Sequence, residues 1–199
     1  MGKSRRLLQL LSRLSFLEKN ILPNERFDGN YTKREQDLIR SYVLLSHAEI
    51  EAFIEDRAKE KVSKALLSWN SNRTKSNCLK SVLSFTGHEL SFDKNANANN
   101  IQYRMNTTIA HFMSSVVDKN HGVKEKNILK MLLPIGIEIN EIDQTWLSVM
   151  ESFGSTRGNI AHNSFQVQNR IDRNSELHRI NNQIVPELVN IDKLITKVK

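Results

Sequence analysis

The sequence predicts an all-α protein, a single-domain bundle of about five to seven helices. Apolar residues recur at three- and four-residue intervals along most of the chain, which is the spacing of one helix face. No stretch of useful length alternates apolar and polar residues as a half-buried strand does. The 199 residues suffice for one hydrophobic core, and no linker-like segment marks a boundary. We therefore expect residues 1–199 to form one domain.

The first helix is predicted by a leucine-rich segment close to the N-terminus. Arg13 and Glu18 interrupt its apolar residues and no small-residue cleavage site follows, so we interpret it as a helix and not as a signal peptide. Pro23 ends the helix, because proline cannot continue the backbone hydrogen bonding. One apolar stripe runs along it and needs a partner to cover it: Leu7, Leu10, Leu11, Leu14, Leu17 and Ile21.

A long central helix is predicted to follow. Thr32 and Glu35 have the spacing of a capping box, in which the two side chains satisfy backbone N–H groups at a helix start. The helix runs towards Trp69, and its apolar surface is wide enough for burial between several neighbours. Five residues form one ridge along the helix: Leu38, Tyr42, Leu45, Ala48 and Ala52. Five more apolar residues flank this ridge: Ile39, Val43, Ile50, Phe53 and Ile54.

Shorter helices are predicted in the middle of the chain. Polar segments at 71–77 and 88–100 have the composition of loops. Helical stripes lie at 79–85, 101–116 and 128–133. The second of them ends at a stop signal containing Gly122, and the third ends before Pro134.

The last part of the chain predicts two further helical regions. Asn140 or Asp143 is placed to cap a helix that leads directly into the segment around position 157. The final helix begins at Arg173, and its stripe stays in register to the end of the chain: Leu177, Ile180, Ile184, Leu188, Ile191, Ile195 and Val198. Pro186 falls inside this pattern, so a kink or a second helix with Pro186 in its first turn fits equally well.

Composition limits the compartment and the partners. No segment approaches the roughly 18 apolar residues of a membrane span, so we expect a soluble protein with no membrane partner. The single cysteine, Cys78, excludes an intrachain disulfide and fits a reducing, cytoplasmic location. A formal net charge of +7 favours a polyanion such as RNA, although solvated helix faces explain such basic residues about as often.

The candidate chemistry lies in one short helical segment, because phosphate loops, zinc-protease motifs, serine-hydrolase elbows and paired CxxC motifs are all absent. Arg157 precedes His162 by five positions, which on a helix places them about 140° apart and about 7.5 Å along the axis. A histidine can exchange protons with the 2′-hydroxyl and 5′-oxygen of RNA, while an arginine can neutralise charge on the phosphoryl oxygens. Such a pair requires no metal, and we expect no cofactor. It suits either long side chains acting on one phosphodiester or two copies of the helix related by a two-fold axis.

The spacing alone is not specific. Three other pairs match it as well: Arg40 with His47, Arg104 with His111, and Arg173 with His178. We favour Arg157 because it continues the apolar stripe of its helix, four residues after Phe153 and three before Ile160. Gly154 and Gly158 flank it and would allow a backbone or a substrate to approach closely. The alternative with Arg173 and His178 stays open, because Asn174 directly follows the arginine there. We prefer Arg157 because we interpret Asn174, Ser175 and Glu176 as an exposed helix start.

The segment from Arg157 to His162, RGNIAH, resembles the R-x4-6-H motif of the HEPN superfamily. The segment SYVLLSHAEIEAFIED resembles the long second helix of the RiboL-PSP-HEPN branch, which carries an acidic residue in its middle. Glu51 is the closest match to that residue, and Glu49 is the second. The connector from position 135 to the motif is also similar to that branch, so the likeness covers most of the chain.

This resemblance implies an α-helical domain that forms a homodimer, places two motifs in one cleft and cleaves RNA without a metal, leaving a cyclic phosphate. Relatives of this kind act in toxin–antitoxin or phage-defence systems, which implies an antitoxin or defence protein as a further partner. The chain departs from the family at Gly158, where a polar residue is common. Asn159 then either takes over the polar role or leaves it unfilled.

Supporting roles are open at four positions. Glu51 either orients His162 or pairs with a lysine in solvent. His47 fits a packed or hydrogen-bonded histidine better than a catalytic one, and Thr156 either contacts phosphate or bonds within its helix. With Asn159 these residues complete the predicted site, and a non-catalytic module that binds RNA or a protein is the alternative to a ribonuclease.

Overall fold

A computed structural model describes residues 2–86, 100–162 and 170–199, and it confirms the all-α prediction. The α-helices are α1 (Arg5–Asn20), α2 (Lys33–Asn72), α3 (Asn77–Phe85), α4 (Ile101–His111), α5 (Glu125–Leu132), α6 (Gln144–His162), α7 (Arg173–His178) and α8 (Val185–Lys197). A short 3₁₀ turn, Ile139–Glu141, precedes α6. Within the described ranges no helix is both long and apolar enough to cross a bilayer. Most of the loop predicted at 88–100 lies outside the described residues.

Helix α1 packs along α2, which supplies the partner that its leucine stripe requires. Ser4 caps α1 by accepting a hydrogen bond from the N–H of Leu7 at 3.0 Å. The stripe is buried at four positions: Leu7, Leu10, Leu14 and Leu17. At the start of α2, the predicted capping box of Thr32 and Glu35 is present in both directions.

Helix α2 is the central element of the bundle, as the sequence predicted, and it contacts α1, α3, α4, α5, α6 and α8. The predicted ridge is only partly right, because Leu45 and Ala48 are exposed. The buried surface instead follows the flanking positions and includes polar residues: Ile39, Tyr42, Val43, Ser46, His47 and Ile50. Because Ser46 and His47 are buried, the observed buried side of α2 is rotated from the predicted one and includes the contact of His47 with Phe153 of α6.

Two π-helical turns continue helices that the sequence predicted as regular. The turn Phe112–Val117 extends α4, and the turn Arg179–Ile184 joins α7 to α8 without a break. Pro186 lies in the first turn of α8, which is the second of the two predicted alternatives. Proline has no N–H to donate, so the wider π-helical turn before it accommodates the missing bond and keeps the apolar stripe facing the core.

A buried ion pair joins the end of the fold to its beginning. Arg57 of α2 and Asp192 of α8 approach to 2.8 Å, and Asp192 also accepts a hydrogen bond from the N–H of Ser4 at 2.9 Å. Both charged side chains are almost completely buried. Removing one member of such a pair typically costs about 3–5 kcal/mol, because the other charge is left buried without compensation.

Candidate active site

Helix α6 positions the two residues predicted to carry chemistry. Asp143, one of the two predicted caps, accepts a hydrogen bond from the N–H of Trp146 at 3.0 Å and so fixes the start of the helix. Trp146 and Phe153 are buried in the core, and Arg157 follows on the same stripe one turn later. The guanidinium of Arg157 is only partly exposed and forms no hydrogen bond or ion pair with a described residue. Arg157 therefore presents a positive charge at the edge of the core that no carboxylate within residues 2–86, 100–162 and 170–199 neutralises.

His47 of α2 lies beneath this charge. Its ring is 5.6 Å from the ring of Phe153, and the side chain is only 2% exposed. Burial lowers the pKa of His47 to about 4, although the nearby Glu51 carboxylate opposes the shift; the charge of Arg157 lowers the pKa further. His47 is therefore neutral at physiological pH and fits the packed role predicted for it.

Glu51 joins α2 to the loop between α4 and α5. One carboxylate oxygen lies 3.5 Å from Nδ1 of His47, and the other accepts a hydrogen bond from the backbone N–H of Gly122. The two predicted alternatives for Glu51, orienting His162 or pairing with a lysine, do not match these contacts. Glu49, the second candidate for the acidic position, points to α1 instead and pairs with Arg13 at 3.1 Å. Of the two carboxylates, Glu51 is the one beside His47, whose ring packs against Phe153 of α6.

The two glycines around Arg157 differ in their surroundings. A Cβ added to Gly154 would lie 2.7 Å from Cγ of Lys124, so the close approach predicted there is to the loop after α4. A Cβ added to Gly158 would meet no atom of the described residues within 4 Å. Lys124 also pairs with Glu151 of α6 at 3.1 Å. The loop is thus fixed against one side of α6, while the side at Gly158 is open.

The remaining motif residues face solvent. Asn159 and His162 are both exposed, and His162 is the last described residue of α6. Arg157 therefore borders the core on one side of the helix, while His162 projects from another. Asn163, which borders the motif in the sequence, lies outside the described residues. The structure brings Arg157, His47 and Glu51 together and leaves His162 and Asn159 accessible to a partner or a substrate.

A comparison with protein families identifies the family to which this helical bundle belongs. A family model described as RiboL-PSP-HEPN matches residues 5–196, nearly the whole chain. The chain belongs to this family. The resemblance seen in the sequence is thereby confirmed. Comparisons with curated proteins and with solved structures gave no match.

In this RiboL-PSP-HEPN chain, Thr156 has a partner that the sequence did not reveal. Its hydroxyl donates to the carbonyl of Ser152 at 3.1 Å, as expected for a helix-local bond, and accepts a hydrogen bond from Nη1 of Arg179 at 3.2 Å. Arg179 also pairs at 3.1 Å with Glu176, which is 5% exposed and whose pKa is raised by burial against the opposing effect of Arg179. The i,i+3 spacing of Glu176 and Arg179 was visible in the sequence, but the bond to Thr156 depends on packing between α6 and the final helix.

The rival motif at Arg173 has a structural role in this HEPN fold. Arg173 donates to the carbonyl of Pro23 at 2.9 Å and to Oδ1 of Asn174 at 2.8 Å. Asn174 in turn donates to Glu25 at 2.6 Å, so the start of α7 is held against the loop before α2. The interpretation of this segment as exposed was wrong for Glu176, which is buried against Arg179. These contacts engage Arg173 within the fold, in contrast to Arg157.

Proposed function

We propose that this protein is a metal-independent RNA endonuclease of the HEPN type. The observation that supports this function best is the state of Arg157, a cation for which the described part of the chain supplies no ion-pair partner. It lies near a neutral His47, and the exposed His162 follows it on the same helix. Holding a positive charge at the edge of a core is costly unless an anion uses it. The phosphodiester of RNA is an anion of the right geometry for a guanidinium.

The reaction assigns a different task to each residue. His162, as general base, takes the proton of a ribose 2′-hydroxyl while the 2′-oxygen attacks phosphorus. The bond to the 5′-oxygen breaks, and that oxygen receives a proton from a histidine acting as general acid. Arg157 binds the phosphoryl oxygens as their negative charge develops. The products are a 2′,3′-cyclic phosphate and a 5′-hydroxyl.

A homodimer follows from the position of the two residues on α6. On one helix they lie about 140° apart around the axis, so a single α6 does not direct both side chains to the same point. Two α6 helices related by a two-fold axis can place Arg157 of one chain beside His162 of the other. We expect the specific activity to fall on dilution below the dimer dissociation constant, and sedimentation at the same concentrations to follow the same curve.

The setting follows from charge and family. A net charge of +7 suits RNA, and the family resemblance favours a cytoplasmic role in a toxin–antitoxin or phage-defence system, with an antitoxin or defence protein as regulator. A regulator that covers the exposed His162 would suppress cleavage. Such a protein would be encoded beside the present one, which genome context can test.

The function is tested by cleavage of total RNA with purified variants. Arg157→Ala and His162→Ala are expected to lose cleavage, about 100-fold or more, while keeping the fold, since neither side chain is packed in the core. His178→Ala is the matched control, because His178 is an exposed histidine in the rival motif. Cleavage that survives both substitutions at the α6 motif would refute the proposal.

A second candidate function is a non-catalytic module that binds RNA or a protein. The observation that favours it is Gly158, which leaves open space where many family members have a polar side chain. This alternative predicts RNA binding without turnover in the wild type. It also predicts that Gly158→Asn, which fits the open space, gains cleavage activity.

A further inference from the structure

A pocket away from the α6 motif carries a positive charge that the proposed reaction does not use. It has a volume of about 340 Å³ and lies between the start of α1, the second half of α2 and the end of α8. We call it the basic pocket and define it by six of its lining residues: Arg5, Arg57, Glu60, Lys61, Lys64 and Thr196. Lys61 is 14 positions after His47 on α2, a distance of about 21 Å along the helix.

The ion pairs of the basic pocket leave two positive charges uncompensated. Arg57 is neutralised by Asp192, and Lys64 pairs with Glu60 at 2.6 Å, an anion that Arg57 also contacts. Arg5 and Lys61 form no ion pair with a described residue. Among the described residues, four cations at this pocket therefore meet two carboxylates, an excess of two positive charges.

Lys61 lies on the wall of this pocket. Its ammonium donates to the backbone carbonyl of Val198, an uncharged acceptor. Burial lowers the pKa of Lys61, and the charges of Arg57 and Lys64 lower it further. Cys78 and Glu60 oppose this lowering of the pKa. The remaining positive charges repel one another, and an anion between them would relieve the repulsion.

The backbone at the start of α1 and the side chains around Arg57 give the basic pocket a defined arrangement of hydrogen-bond donors. The pocket includes Ser4, the cap of the 16-residue helix α1, so the positive end of that helix faces it. Arg57 is held rigidly, because its Nη2 donates to Oγ1 of Thr196 at 3.0 Å in addition to its ion pairs. Arg57 thus forms a rigid wall, and the guanidinium of Arg5, two lysines and a helix start are donors that suit the oxygens of a phosphoryl group.

We propose that the basic pocket binds a phosphate monoester, at a site separate from the α6 motif. The monoester belongs either to a free nucleotide or to the 5′ end of an RNA chain. Arg5, Lys61 and the start of α1 contact its oxygens, and Lys64 exchanges part of its pairing with Glu60 for the ligand. Lys64 is free to make this exchange because its side chain is exposed.

The proposal is tested by calorimetric titration of the full chain with inorganic phosphate at low ionic strength. Arg5→Gln and the double variant Arg5→Gln, Lys61→Gln are expected to weaken binding about tenfold or more, by loss of charge-assisted hydrogen bonds. Arg5 is exposed, so the single variant leaves the fold intact. Lys75→Gln removes the same charge from an exposed lysine outside the pocket and is expected to bind as the wild type does.

Two further probes identify the source of the phosphate without depending on RNA cleavage. Adenosine monophosphate represents a free nucleotide, and a 2′-O-methyl oligonucleotide with or without a 5′-phosphate represents an RNA end that lacks the attacking hydroxyl. Tighter binding of the 5′-phosphorylated oligonucleotide assigns the pocket to RNA ends, and binding of the mononucleotide alone assigns it to a free nucleotide. Absence of phosphate binding by the wild type, or equal binding by the wild type and both variants, would overturn the proposal. The binding measurements do not depend on ribonuclease activity, because the variants change no residue of the α6 motif. A failure of the proposed ribonuclease function is therefore distinguishable from a failure of the phosphate site.

Discussion

The carboxylate of Glu51 accepts a hydrogen bond from the backbone N–H of Gly122 and lies beside the ring of His47. This contact ties the loop after α4 to the central helix at the level where α6 carries Arg157. The same loop contacts α6 through Lys124, which packs against Gly154 and pairs with Glu151. Glu51 therefore fixes the surroundings of Arg157 without contacting His162 in the described part of the chain.

We expect Glu51→Ala to destabilise the protein by about 1–3 kcal/mol, because the N–H of Gly122 loses its acceptor in a half-buried place. Glu51→Gln keeps an acceptor oxygen and is expected to cost less. The measurement is the free energy of unfolding in urea. Glu49→Ala is the control, since its partly exposed pair with Arg13 contributes below about 1 kcal/mol. An equal loss in the Glu49 and Glu51 variants would contradict the role given to Glu51.

The low pKa of His47 makes the stability depend on pH. The unfolded state binds a proton with the ordinary pKa of 6.5, whereas the folded state binds it only near pH 4. The stabilisation from keeping His47 neutral is therefore complete above pH 6.5 and is lost as the pH falls towards 4. We expect a loss of about 2 kcal/mol in unfolding free energy between pH 7 and pH 5 from this residue.

His47→Gln isolates this contribution, because glutamine does not titrate. Urea unfolding at pH 7 and at pH 5 is compared for the wild type and the variant. The pH-dependent loss is expected to be smaller in His47→Gln by about 2 kcal/mol. The same loss in both proteins would show that His47 is not kept neutral by burial.

The two glycines of α6 are expected to respond differently to alanine. Gly158→Ala meets open space and gains helix propensity, so it should stabilise the protein by about 0.5–1 kcal/mol. In Gly154→Ala the new methyl group displaces Lys124 and weakens its pair with Glu151, which offsets the gain. Thermal unfolding measures both, and a larger gain from Gly154→Ala than from Gly158→Ala would be inconsistent with the packing.

Much of the fold was predictable because local chemistry defines it. The capping box of Thr32 and Glu35 marks the start of α2, Asp143 caps α6, and the leucine stripe of α1 finds its partner in α2. The π-helical turns were not predictable, since a change from i+4 to i+5 bonding leaves no mark in the apolar pattern. The correct buried side of α2 depended on neighbours that are distant in sequence.

The sequence singles out the residues of the candidate site but not their contacts. Arg157 continues the apolar stripe of α6, and in the structure it is half-buried. The partners of Glu51 and Thr156 come from other segments, Gly122 and Arg179, and only packing brings them together. Arg57 and Asp192 are 135 positions apart in the sequence, so no local pattern predicts that they pair.

We propose that Arg157 and His162 cleave RNA by attack of the 2′-hydroxyl without a metal. The most direct test is incubation of total RNA with the wild type and His162→Ala in excess EDTA, followed by analysis of the fragment ends. We predict 2′,3′-cyclic phosphate and 5′-hydroxyl ends from the wild type alone. Fragments with 5′-phosphate ends, cleavage that stops in EDTA, or equal cleavage by His162→Ala would rule out this mechanism.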